Sequence, residues 1–315
     1  MDAMTDAVAY HFADIRVRST VEIPELVRAE PGTAPGDITV SWVEHCAPTP
    51  AVWFYQWDDG PEIWARFGEA DGVWVVEFPE LAEFRIDPSA TSVGVETRAG
   101  TPAFTVRHLL LNQILPLMLS RQGRMVLHAG AVAINGEVTA FVGPTGSGKS
   151  TLVAACARAG AEVVSDDCVV VSREGARLMA VPSYPALRLW SSALEHLGWS
   201  PDERTAASHY TDKHRVGPAA SDWRFAAGPR PLVRLIRLAG AEPVRPVAVD
   251  LYSQVFRLDV RDREEALTLF HAVADLAAQV EVRDLVAPAE QRDAPALAAA
   301  LCGGDPVAVR ALFGA

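Results

Sequence analysis

The residues best equipped for chemistry lie between His128 and Asp167. Gly143, Pro144, Thr145, Gly146, Ser147, Gly148, Lys149 and Ser150 run as G-x-x-x-x-G-K-S without a gap, and Thr151 follows. In such a loop successive backbone N–H groups point into one concavity that cradles phosphate oxygens. The lysine reaches the β- and γ-phosphates, and the serine hydroxyl binds Mg²⁺. Gly146 and Gly148 supply backbone freedom that a Cβ would restrict. Phe141-Val142 read as the end of a strand and Thr151 to Arg158 as a helix, whose N-terminus adds partial positive charge where phosphates would sit. The expected ligands are ATP, or another nucleoside triphosphate, and Mg²⁺.

Ser165-Asp166-Asp167 arrive with Asp166 only 17 residues after Lys149. Two adjacent carboxylates at a strand end suit one Mg²⁺ contact and one base for an acceptor hydroxyl, the two tasks that phosphoryl transfer sets. Most Asp-Asp pairs are solvated acidic turns; the phosphate loop beside this one favours chemistry. His128 is placed so that a hairpin turn would fold it towards the phosphates, although a lone histidine is more often a hydrogen-bonded core residue. Residues 199–231 are polar, rich in Gly and Pro and weak in periodicity, and read as a long loop of the lid or substrate type. It carries His209, Lys213, His214 and Arg215, the densest cationic group in the chain. Lys213 or Arg215 could close over a transferring phosphoryl group, whereas a solvated loop face is the plainer account.

The elements that must position these groups follow from periodicity. Ala131 to Ile134 and Glu137 to Val142 are β-rich runs around Asn135-Gly136, the strongest short hairpin signal. Gly160 ends the helix after the loop, and strands are expected from Glu162, from Cys168 to Ser172 and from Arg177 to Val181, with Pro182 and Pro185 bracketing a stiff turn. Leu232 to Leu238 and Pro246 to Leu251 read as further strands. Arg263 to Gln279 reads as an amphipathic helix, and short helices are expected at 294–302 and 305–313. Phe104 to Leu119 is apolar on nearly every face, which predicts a buried helix bent or interrupted at Pro116.

Upstream the pattern changes. One strand is expected at Phe12 to Val17, then a loop from Pro31 to Gly36. ITVSWVEH, AVWFYQW, EIWARF, VWVVEF and EFRI follow between Ile38 and Asp87, with turn signals between them, and predict an antiparallel meander. Trp42, Trp53, Trp57, Trp64 and Trp74 crowd into it. Half-buried sheet positions account for them, and an exposed aromatic edge receiving an extended peptide is the alternative. A loop around Ser89 to Pro102 closes this part. The expected division is a β-rich N-terminal domain over 1–103, with substrate recognition as its candidate role, and a P-loop kinase domain over 104–315.

His128, GPTGSGKS, the short helix and VVSDDCVVV together resemble the core of the HPr kinase/phosphorylase family, which shares a P-loop fold with phosphoenolpyruvate carboxykinase. The likeness covers roughly residues 108–315 and is greatest to divergent relatives, some of which phosphorylate a serine of a ribosomal precursor peptide. It implies an α/β fold with a nucleotide-binding domain of the phosphoenolpyruvate-carboxykinase/HPr-kinase type, preceded here by the mainly antiparallel β domain. It also implies a peptide or protein partner bearing a serine, Asp166 as general acid/base, Asp167 as the metal-associated carboxylate alongside Ser150, and His128 close to that pair. The long E-I-R-G-L-G signature of the true HPr kinases is absent. At the comparable place stands Tyr184-Pro185-Ala186-Leu187-Arg188-Leu189-Trp190, in which Arg188 corresponds.

Composition bounds the rest. Half of the 315 residues are hydrophobic and 22% are charged, enough to bury two cores. The net charge of −12 argues against nucleic acid as a partner. No run approaches a membrane span and the N-terminus lacks a signal-peptide layout, so a cytoplasmic protein without a membrane partner is expected. Cys46, Cys156, Cys168 and Cys302 lack metal-ligand spacing and read as free thiols. A homo-oligomer is compatible with the sequence. The leading expectation is a Mg²⁺- and ATP-dependent kinase acting on a hydroxyl. The rivals are a small-molecule kinase of the adenylylsulfate-kinase type, which is usually more compact, and a P-loop ATPase or nucleotide sensor without an acceptor. Transporter-type ATPases need an L-S-G-G-Q motif that this chain does not contain.

Overall fold

The computed structural model describes residues 7–30, 38–43, 51–59, 62–199, 204–218, 223–239, 246–286 and 293–304. Cys46, the loop at 31–36 and the helix expected at 305–313 lie outside them. Two compact units emerge, residues 1–123 with 257–261, and residues 124–256 with 262–315. Among the described residues no helix is long and apolar enough to cross a membrane.

The first unit is built on a nine-stranded sheet: β1 Val8–Phe12, β2 Ile15–Ser19, β3 Val27–Arg28, β4 Ile38–Trp42, β5 Val52–Asp59, β6 Glu62–Ala70, β7 Val73–Phe78, β8 Ala82–Ile86 and β9 Ser92–Thr97, in the order β3-β1-β2-β4-β9-β8-β7-β6-β5. β5 to β9 form the expected meander, but β4 is not its first strand. It lies parallel to both β2 and β9. The single strand expected at Phe12 to Val17 is a hairpin that turns at Ala13, where φ is 52°. The loop expected at Ser89 to Pro102 contains β9. The tryptophans divide: Trp74 is buried, Trp42 and Trp64 are half-buried, and Trp53 and Trp57 are exposed on β5. Two register shifts against β6 break that edge strand, which blunts it as a template for another chain.

α1 Ala103–Leu109 and α2 Leu115–Arg121 join through a π-helical stretch, Leu110–Ile114. The Leu115 N–H reaches the Leu110 carbonyl just before Pro116, so the helix absorbs the proline by widening one turn. It belongs to the first unit, which moves the boundary from near residue 103 to Gly123. Arg107 pairs with Glu25 at 2.9 Å, Gln122 donates to the Ala90 carbonyl at 2.7 Å, and Arg121 lies over the Trp74 ring.

The second unit has a mixed sheet: β10 Met125–Leu127, β11 Ala129–Ile134, β12 Glu137–Val142, β13 Glu162–Ser165, β14 Val169–Glu174, β15 Arg177–Val181, β19 Arg224–Phe225, β20 Arg230–Ala239 and β21 Glu281–Val286. The order is β10-β14-β15-β20-β12-β11-β13-β19, with β21 parallel to β20. A small sheet, β16 Leu187–Trp190, β17 Thr205–Ala206 and β18 Lys213–Val216, is ordered β16-β18-β17.

Alternation along the central strands makes both sheet faces apolar. Phe141 and Ile236 point into one core with α3 Lys149–Arg158, α4 Ser191–His196 and α7 Ala294–Gly303. Ala140, Val142 and Leu235 point into another with α5 Val247–Ser253 and α6 Arg263–Gln279. This is a mixed α/β architecture with helices on both faces. α5 replaces the strand expected at Pro246 to Leu251. A short apolar run fits either period, and the helix lays Leu251 into the core. The long loop expected at 199–231 carries β17, β18, β19 and the start of β20, so Lys213, His214 and Arg215 are strand residues.

Candidate active site

Strand direction brings the chemical groups to one edge. β12 and β13 both run antiparallel to β11, so their C-terminal ends and the start of β11 share that edge. The loop at 143–148 leaves β12 there, Asp166 and Asp167 leave β13 there, and His128 immediately precedes β11. The β11–β12 hairpin turns at Asn135-Gly136 with φ of 53° and 84°, the left-handed pair that a two-residue turn needs.

Loop geometry follows from its residues. Gly143 has φ 152°, and a Cβ there would lie 2.8 Å from the Leu238 carbonyl oxygen, so only glycine lets β12 turn away beside β20. Gly148 caps α3 with a left-handed backbone and no side-chain acceptor, leaving the first helical N–H groups facing the loop. Lys149 is buried, and its Nζ donates to the carbonyls of Gly143 at 2.7 Å and Pro144 at 3.1 Å. Burial lowers its pKa to about 8 against the opposing pull of Asp167 and Asp166.

The carboxylates have different surroundings. Asp166 is 4% exposed. Its Oδ2 accepts the Arg188 backbone N–H at 2.6 Å, while its Oδ1 is buried without a hydrogen-bond partner. Burial raises its pKa, with Arg188 and the Ser150 hydroxyl acting the other way. Asp167 meets the Arg188 guanidinium at 2.5 Å, and His128 Nε2 lies 3.8 Å from its Oδ1. Burial alone would raise Asp167, but Arg188, then His128, Lys213 and Lys149, hold it well below the usual carboxylate range. Burial in turn pushes His128 down to about 4, only partly offset by Asp167, so its imidazole is neutral at neutral pH.

The predicted site residues therefore gather. Lys149, Ser150, Asp166, Asp167, His128, Arg188 and Lys213 lie within one electrostatic neighbourhood. Arg215 enters through the backbone, opposite Arg188 in the β16–β18 ladder. Three contributors escaped sequence reasoning. The Ser165 hydroxyl donates to the Cys168 carbonyl at 2.7 Å, accepts the Cys168 N–H at 3.1 Å and meets the Ser183 hydroxyl at 2.9 Å, bracing the turn that presents both aspartates. Trp190 faces Lys213 across the ladder. Only Ser165, adjacent to Asp166, carried a local signal.

The donor set fits Mg²⁺ as phosphate loops bind it. That ion keeps several waters and takes one or two protein oxygens besides phosphate, and the Ser150 hydroxyl and the neighbouring Asp166 carboxylate are hard oxygen donors of that kind. No cluster of three or more His, Cys, Asp or Glu side chains suited to a metal occurs among the described residues. Cys156 and Cys168 are buried free thiols and Cys302 is half-buried.

No protein-family model matches this chain. No curated protein matches it either. Among solved structures it is similar to the HPr(Ser) kinase/phosphatase from Coxiella burnetii, with 17% identity over 38% of this chain and 71% of that one and a TM-score of 0.25.

Proposed function

We propose that this protein is a Mg²⁺- and ATP-dependent kinase that transfers a phosphoryl group to a serine hydroxyl of a peptide or protein. The observation that carries the reading is the convergence of a phosphate loop with two adjacent aspartates, one buried and one largely buried, whose surroundings push their pKa values in opposite directions, and the cations Arg188 and Lys213. Positioning and charge stabilisation are what phosphoryl transfer asks of a protein. The serine acceptor rests on the sequence resemblance.

In this reading the loop N–H groups and the N-terminus of α3 hold the phosphates. Lys149 exchanges its two carbonyl contacts for phosphate oxygens, which lifts its pKa back up. Ser150 and Asp166 would hold Mg²⁺, which would supply neutralisation of the phosphate charge. Asp167, ionised at every working pH, accepts the hydrogen bond of the acceptor hydroxyl and aims its oxygen at the phosphorus. The resemblance implies the opposite division of labour. The Ser150 hydroxyl beside Asp166 supports the metal role proposed for it, and the cations around Asp167 keep that carboxylate ionised to accept a hydrogen bond. Arg188 fixes both carboxylates, one through its backbone and one through its guanidinium.

Titration calorimetry with Mg²⁺ and a non-hydrolysable ATP analogue tests the nucleotide half of the proposal. Binding should require Mg²⁺ and fall at least tenfold in Lys149→Ala. Equal binding by that variant would remove the basis of the reading.

A further inference from the structure

Of the cations around the two aspartates, Arg188 is engaged by Asp167, and Lys149 by carbonyls of its own loop. Lys213 differs. Among the described residues its ammonium makes no ion pair and donates no hydrogen bond, although it sits in the field of Asp166 and Asp167 and burial disfavours its charge. What it meets is an aromatic face: Nζ lies 5.1 Å from the centre of the Trp190 ring.

Trp190 stands directly opposite Lys213 in the β16–β18 ladder, two residues beyond Arg188 and so on the same strand face. Trp190 is 43% exposed. The open indole leaves a π face on which a cation can be held. A partly desolvated ammonium that no carboxylate contacts directly keeps its donors for an anion.

We propose that Trp190 is a positioning residue that holds the Lys213 ammonium in place to receive the phosphoryl group in transfer. This rests on the kinase reading. In the transfer the bond from the γ-phosphorus to the β–γ bridging oxygen breaks, and the bond to the acceptor oxygen forms. The acceptor proton, held in its hydrogen bond to Asp167, is released to solvent as the new bond forms, and Asp167 stays ionised. Lys213 keeps its proton throughout and only donates hydrogen bonds. The substrate-side cation thus sits on a strand with a fixed aromatic support.

Two measurements on Trp190→Leu, Trp190→Phe, Lys213→Ala and the double variant Trp190→Leu/Lys213→Ala test the proposal. The first uses no nucleotide: the rate at which an amine-reactive acetylating reagent labels Lys213, read by mass spectrometry at one pH. Trp190→Leu should change it about 3- to 10-fold, and Trp190→Phe, which keeps a π face, much less. Unchanged labelling in Trp190→Leu would overturn the proposal whatever the enzyme does. The second is affinity for Mg²⁺-ADP with and without beryllium fluoride, which mimics the γ-phosphoryl group. Trp190→Leu and Lys213→Ala should each weaken the fluoride complex by a similar factor, leave Mg²⁺-ADP unchanged, and show no further loss when combined. Fully additive losses, or equal losses with ADP alone, would contradict it. If the wild-type protein binds no nucleotide, the kinase reading fails, and with it the assignment of Lys213 to a phosphoryl group.

Discussion

Arg188 grips the two neighbouring aspartates differently: its guanidinium meets Asp167 at 2.5 Å, and its backbone N–H donates to Asp166 at 2.6 Å. Asp167 and Arg188 are both largely buried, with side chains 12% and 7% exposed. Removing one partner of a buried pair strands the other charge, at a cost of about 3–5 kcal/mol. Arg188→Met should therefore destabilise the second unit by about that much in chemical denaturation, and Arg188→Met/Asp167→Asn should recover a large part of it. If the double variant is as unstable as the single one, the cost lies in packing and the ion pair is not its source.

The division of labour between the aspartates gives a second expectation. Asp166→Asn should weaken Mg²⁺-dependent nucleotide binding, because it removes the negative charge beside the Ser150 hydroxyl. Asp167→Asn should keep that binding yet lower transfer about 10²- to 10⁴-fold, the usual contribution of a positioned base. Calorimetry beside a transfer assay reads both. Exchanged phenotypes would restore the assignment that the resemblance implies, and normal transfer in both variants would reduce the pair to an acidic turn.

His128 carries a pH signature. In the folded state its pKa is near 4, against 6.5 for the free side chain, so between those values the unfolded chain binds a proton that the native one refuses. Stability must fall as pH drops through that window, and rise as pH climbs back. His128→Asn should flatten this part of the profile, measured as thermal midpoint against pH from 7 to 4. Parallel profiles for both proteins would mean that His128 titrates normally when folded.

Much of the site's scaffold was legible because its signals are local. The Asn135-Gly136 hairpin, the loop from Gly143 and the helix closed by Gly160 are specified within a few residues of one another. Other features depend on distant partners. Nothing near Ile38 says that β4 will lie parallel between β2 and β9, and the turn at Ala13 has neither Gly nor Pro to announce it. The run from Val247 is too short for its period to decide between strand and helix. Arg188 reaches Asp166 across 22 residues of sequence, and the Lys213 stretch becomes a strand because it pairs with β16. Trp190 looked like one tryptophan among eight until the ladder set it against Lys213.

The fate of the γ-phosphate tests the central claim most directly. ATP labelled at that position is incubated with Mg²⁺, wild-type protein or Lys149→Ala, and a pool of serine-containing peptides. Label should move to serine in the wild-type reaction alone, with only slow release to water when the peptides are left out. Rapid release of inorganic phosphate that ignores the peptides would make the protein an ATPase, and turnover by Lys149→Ala at the wild-type rate would contradict the assignment of this site altogether.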